Sequence, residues 1–302
     1  MAVPSQSTGT HKYGVLFVFA AGVLWSTVGL GIRLIEEATV WQILLYRSLS
    51  MSLFLYVVIR LRSGESPFAQ LRRTGFPAVI AGLALVAAYS GGIYSIQNTS
   101  VANAMLLFAT APFMTAVLGW IVLKEPVRAA TWIAIAVALG GIAIMAADKS
   151  GSVVLKGSLA ALGSAFGFAV FTVALRWGRT VEMLPSVFLS GLFGFAITFG
   201  ICQIAGLSIA LTLNDGSVAI TMGVFQVGAG LILYTLGSRS LPAAELTLLS
   251  LAEVLLGPLW VWLFLAETAS VNTLIGGAVL LAAIAGNALS GKRRKPPAIT
   301  TP

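Results

Sequence analysis

The chain has 302 residues, 58% of them hydrophobic and 9% charged, with a formal net charge of +8. Soluble domains carry roughly 25% charged residues, so this composition excludes an ordinary globular domain and points to an integral membrane protein. One cysteine, Cys202, and one histidine, His11, exclude an intramolecular disulfide and any Cys- or His-based metal centre, and no cofactor is expected.

Residues 1–13 form a polar tail. The first apolar stretch follows Lys12 directly, is long enough to span, and lacks an A-x-A exit, so it is expected to stay as a first helix. Apolar runs of roughly 17–25 residues then recur between polar breaks. They predict ten spans, at 14–32, 39–60, 75–95, 101–122, 129–147, 157–175, 184–206, 217–236, 243–265 and 271–290. The expected fold class is therefore all-α and integral to the membrane, ending in a basic tail at 291–302. Connections are short, and no segment is long enough for a soluble domain.

The net positive charge tempts one toward nucleic acid, but its distribution reads as an orientation signal, and no nucleic-acid partner is expected. With ten spans both termini share a side. If that side is cytoplasmic, the inside segments hold Lys12, Arg60, Arg62, Arg72, Arg73, Lys124, Arg128, Arg176, Arg179, Arg239 and the Lys292–Lys295 cluster. The outside holds Arg33, Lys149 and Lys156. This asymmetry predicts cytoplasmic termini in a bacterial inner membrane.

A shift of 142 residues aligns two stretches without a gap. Trp120 falls on Trp262, Glu125 on Glu267, Thr131 on Thr273, and Leu106-Leu107 on Leu248-Leu249. With a nearly equal shift, Gly14, Leu16 and Arg33 meet Gly157, Leu159 and Arg176. Each half, 14–147 and 157–290, then holds five spans, and an odd number inserts the second half in the opposite sense. Inverted repeats of this kind mark secondary transporters, whose substrates bind near the midplane between the halves.

The stretch GVLWST at 22–27, LKEPVRAAT at 123–131, its duplicate LAETASVNT at 265–273, and LAEVLLGP at 251–258 resemble the drug/metabolite transporter superfamily, in particular its ten-helix EamA-type branch. The resemblance covers essentially the whole chain. The Trp25-Ser26-Thr27 run and Pro112 of the fourth span are also similar to bacterial exporters of aromatic and other neutral amino acids, whereas the Glu253 stretch departs from them. The resemblance implies export of a small-molecule substrate, amino acids foremost, by alternating access. A carrier for a nucleoside, sugar or organic cation is the alternative. A channel or a non-transporting scaffold stands further off, and no dyad or activated nucleophile supports an enzyme. Ten spans in two halves make a complete carrier as a monomer in the bilayer.

Glu253 stands fourteen residues before Glu267, about 21 Å along a helix, and so falls inside a hydrocarbon core of about 30 Å. It reads as a proton or substrate-amine site, or as a hydrogen-bonded structural acid. Trp25, Ser26, Tyr89, Tyr94, Asn103, Phe108, Phe168, Gln226 and Tyr234 form the remaining candidate substrate site. Tyr and Trp also gather at membrane interfaces without any ligand, an objection that mid-span Trp25, Ser26 and Tyr89 escape best. Pro112, Gly257 and Pro258 are expected to kink spans four and nine. Arg47 is expected to snorkel toward the surface, Glu245 to suit a helix N-terminus, and Glu125 and Glu267 to fix turns.

Overall fold

A computed structural model describes residues 8–147, 152–178, 184–238, 241 and 243–292. The tail at 1–7, Lys149, Arg179, Arg239, the residues after Lys292, and the side chain of Glu245 lie outside the described residues. Span 1 comprises α1 (Thr8–Ser26) and α2 (Val28–Arg33), and span 2 is α3 (Val40–Ser63). A short helix, α4 (Pro67–Thr74), leads to span 3, α5 (Phe76–Asn98). Span 4 is α6 (Val101–Phe108) with α7 (Ala111–Leu123), and spans 5 to 7 are α8 (Ala129–Ala146), α9 (Ser152–Trp177) and α10 (Leu184–Ile204). Span 8 runs from α11 (Leu213–Thr221) through a π-helical stretch (Met222–Ala229) into α12 (Gly230–Ser238). Spans 9 and 10 are α13 (Ala243–Leu265) and α14 (Val271–Lys292). Among the described residues, nine helices are long and apolar enough to cross a bilayer, and α13 adds the apolar stretch Ala252–Leu265. The chain is a multi-pass, all-α membrane protein.

Two helix boundaries differ from the sequence expectation for local reasons. Span 1 breaks at Thr27, where the Ser26 hydroxyl donates to Val23 O (2.7 Å) and that of Thr27 to Leu24 O (2.6 Å). Such back-bonding offers the backbone an alternative to its ladder and bends a helix. Span 8 begins at Leu213 rather than 217, because Thr212 caps it: its hydroxyl accepts from Asp215 N (3.1 Å). Residues 213–216, expected in the connection before span 8, are thus the first turn of the helix. Asp215 in turn accepts the backbone N–H groups of Glu36, Glu37 and Ala38 at 2.9–3.1 Å, which pins the span 1–2 connection.

Helix packing follows the duplication. Helix α5 lies along α9 as α12 lies along α1; α7 meets α9 as α13 meets α1; α10 meets α5 as the π-helical stretch meets α3. Pairs α3·α10, α6·α13 and α8·α14 join equivalent spans of the two halves. Glycine permits close contact in these pairs: a Cβ on Gly141 of α8 would stand 2.6 Å from the Gly276 carbonyl oxygen of α14.

The duplicated glutamates do more than shape turns. Lys124 (φ 58°) and Ala266 (φ 53°) end their helices in the left-handed region. The amides of Glu125 and Glu267 then reach back to Gly119 O (3.3 Å) and Val261 O (3.2 Å). Each carboxylate is thereby aimed across the half-to-half interface. Glu267 pairs with Arg33 (Nε–Oε2 2.7 Å) and also accepts from Val101 N (2.8 Å), the first amide of α6. Arg33 further donates to Thr99 O (2.8 Å). At the opposite face Glu125 pairs with Arg176 at 2.6 Å. The two braces join residues that the repeat makes equivalent.

The braces should differ in strength. Arg33 and Glu267 are 26% and 21% exposed, Arg176 and Glu125 49% and 40%. Arg33→Ala should cost about 1–3 kcal/mol of stability, because it strands a partly buried carboxylate; Arg176→Ala should cost less than about 1 kcal/mol. Thermal unfolding of the purified protein in detergent measures both, and equal losses would contradict the ranking.

Candidate functional site

Three interruptions of regular helix lie in the interior: the break at Thr27 in span 1, the break at Ala109–Thr110 in span 4, and the π-helical stretch of span 8. Local departures from α geometry free backbone groups and re-aim side chains, and π segments are frequent at functional sites. Gln226 sits within that π segment and Trp25 just before the span 1 break.

These two elements meet. The Gln226 amide donates to Trp25 O (3.5 Å). The Trp25 indole lies against the backbone at Gly230, where a Cβ would collide with its Nε1. Its ring faces Tyr234 at a centroid distance of 5.3 Å and a tilt of 38°. Trp25, Gln226 and Tyr234 thus form one aromatic-polar group shared by span 1 of the first half and span 8 of the second.

Span 9 closes on the same region. Gly257 lies against Met105 of α6 and Ser26 O of α1. The Trp260 indole donates to the Ser26 hydroxyl (2.8 Å). One turn before Gly257, the Glu253 backbone passes Gly22 of α1, whose added Cβ would lie 3.8 Å from Glu253 N. The face of α13 carrying Glu253 therefore packs on spans 1 and 4. Among the described residues no hydrogen bond or ion pair reaches the Glu253 carboxylate. Helix α13 runs through Pro258, and Pro112 stands at the start of α7, just past the span 4 break.

The other named residues are distributed more widely. Tyr89 is half-buried, and its ring packs against both main apolar clusters, one of which also holds Trp25. Phe108 belongs to the first cluster and touches Gly92. Ser26 is fully buried, its hydroxyl engaged by Val23 and Trp260. Asn103 ties span 4 to span 6, donating to Thr99 Oγ1 (3.0 Å) and Ser158 Oγ (2.8 Å). Tyr94 lines a separate pocket of about 600 Å³ with Glu36, Trp41 and Gln97, on the Arg33 face. Phe168 is exposed beside Phe171.

Arg47 corrects the sequence expectation. It does not snorkel: only 5% of it is exposed. Its guanidinium carbon lies 4.8 Å from the centre of the Tyr89 ring. A side chain seven residues into α3 starts about 10 Å below the helix end, and here it turns inward. Trp260 and Asp215 were missed altogether. Only Asp215 left a signal, the Thr212-x-x-Asp215 cap spacing.

Comparison with known proteins agrees with this architecture. A family model described as the EamA-like transporter family matches residues 12–147 and again 155–289. The chain is 25% identical over 280 residues to the uncharacterized transporter YwfM of Bacillus subtilis, covering 88% of this chain and 90% of that one. It is 24% identical over 233 residues to protein RarD of Escherichia coli, covering 73% of each. A solved crystal structure shares the fold with a TM-score of 0.64 at 18% identity, covering 94% of this chain and 99% of that one. The duplicated match coincides with two sets of five helices braced across their interface, and the chain belongs to the EamA-like transporter family.

Proposed function

We propose that the protein exports small metabolites, amino acids foremost, across a bacterial inner membrane by alternating access. The observation that carries this reading is the meeting of Trp25, Gln226 and Tyr234, with Glu253 close by, where interrupted helices of the two halves face each other. An aromatic face with a polar edge suits the side chain and the polar groups of an amino acid. Interrupted helices beside a half-to-half interface suit a carrier, whose site must open to either side. Both termini lie in the cytoplasm, because the basic residues partition so unevenly between the protein's faces, and ten spans in two halves suffice for a monomeric carrier.

Counterflow in liposomes tests the substrate class directly. A panel of amino acids, nucleosides and sugars should show saturable exchange of neutral amino acids, and exchange of another class alone would replace them. Trp25→Ala should lower that exchange at least tenfold while membrane abundance stays normal; unchanged exchange would remove Trp25 from the site.

Glu253 is assigned proton exchange during the cycle. Glu253→Gln keeps the shape and a hydrogen-bond donor but removes titration, so the variant should fold and lose the pH dependence of transport. An unchanged rate and pH profile would leave Glu253 as a neutral brace beside Pro258.

Orientation has its own test. In a Cys202→Ser background, Ser217→Cys and Arg72→Cys should be labelled by an impermeant maleimide from the periplasmic and cytoplasmic sides respectively. Labelling of both from one side would sink the topology.

A further inference from the structure

Burial of a charge within a membrane protein is tolerated when donors or acceptors surround it. Asp215 obeys this rule: it is 1% exposed and accepts three backbone N–H groups. Arg47 does not. It is 5% exposed, its Nε is fully buried without a hydrogen-bond partner, and among the described residues no carboxylate pairs with it. The contact the structure gives its charge is the Tyr89 ring, 4.8 Å away.

The surroundings are polar without being anionic. The Arg47 backbone lies against Gly223, the second residue of the π segment that carries Gln226. Gln226 uses its amide nitrogen on Trp25 O, and its Oε1 is buried without a donor. The interior therefore holds an unmatched cation and an unmatched acceptor. Both are beside helices that border the aromatic group of Trp25 and Tyr234. A guanidinium presents a planar fork of donors that matches a carboxylate two-to-two, and an aromatic ring beneath it fixes the plane of that fork.

We propose that Arg47, stacked on Tyr89, is the carboxylate-binding subsite of the carrier, so that its substrates are small organic acids, the α-carboxylate of an amino acid among them. This rests on the exporter reading and narrows it. Neutral nucleosides, sugars and simple amines lack the group that Arg47 requires. Gln226 Oε1 supplies an acceptor for the ammonium of a zwitterion.

Thermal stability of the detergent-purified protein, titrated with L-phenylalanine, 3-phenylpropionate and L-phenylalaninamide, tests the proposal. Wild type should be stabilised by both acids at millimolar concentration and not by the amide. Arg47→Gln and Arg47→Lys should bind both acids roughly 10–100-fold more weakly, because a charge-assisted pair is lost and an ammonium cannot replace the stacked fork. Equal stabilisation of wild type by amide and acid overturns the subsite, and so does an acid response that survives in a monodisperse Arg47→Gln protein. Stabilisation by neither acid overturns it too. The wild-type comparison holds even if the variants fail to fold. Should 3-phenylpropionate bind through Arg47 while phenylalanine does not, the anion subsite stands and the amino-acid reading falls. Should phenylalanine exchange in liposomes at the wild-type rate through Arg47→Gln, the reverse holds.

Discussion

The architecture turns on one contact, the Glu267 carboxylate held between Arg33 and the first amide of α6. At the membrane edge a backbone amide that starts a helix has no intrahelical acceptor, and a partly buried carboxylate needs donors. Each satisfies the other, and the positive end of α6 favours the negative charge. Because Arg33 also donates to Thr99 O, the contact gathers the end of span 1, the span 3–4 connection and the span 9–10 turn. Those segments come from both halves, so the relative placement of the repeats depends on it. Its counterpart, Glu125 with Arg176, does the same work from the opposite face.

With the halves fixed at both faces, the interior is free to depart from regular helix. Span 1 bends where Ser26 and Thr27 bond back to the chain, span 4 restarts at Ala111, and span 8 widens to a π-helix around Gln226. In hydrocarbon such departures are tolerated only where protein or a water-filled cavity receives the freed groups. They coincide here with Trp25, Gln226, Glu253 and Trp260. The polar side chains and the irregular backbone thus occupy one region, the one proposed above as the site.

Much of this was legible in the sequence because its signals are long or duplicated. Apolar runs of bilayer length gave spans close to those observed, and the Glu125–Glu267 and Arg33–Arg176 correspondences named the four bracing residues, though not their pairing. What failed was local. Residues 213–216 fall before the predicted start of span 8, yet the Thr212 side-chain cap makes them helix. Arg47 reads as a snorkelling residue because periodicity does not say which neighbour a long side chain will meet. Its stacking on Tyr89 is a tertiary fact, and so is the Ser26–Trp260 bond. No alignment of the two halves contains either.

The repeat also separates frame from site. By the shift that carries Arg33 to Arg176, Trp25 falls on Phe168 and Arg47 on Ser190; by the one that carries Glu125 to Glu267, Tyr89 falls on Leu231, Gln226 on Ala84 and Glu253 on Ala111. The bracing residues are kept in both copies, while Arg47, Tyr89, Gln226 and Glu253 have no like residue in the other copy. A frame proposed to close at either face benefits from two equivalent braces. The ligand proposed above, with a charged end and an apolar end, has no such symmetry, so residues that recognise it would differ between the halves. Trp120 and Trp262, which match across the repeat, are about half exposed (49% and 55%) on the outside of the bundle. Identity between the halves therefore marks the scaffold, and the proposed site lies at polar or charged positions that have no like residue in the other half.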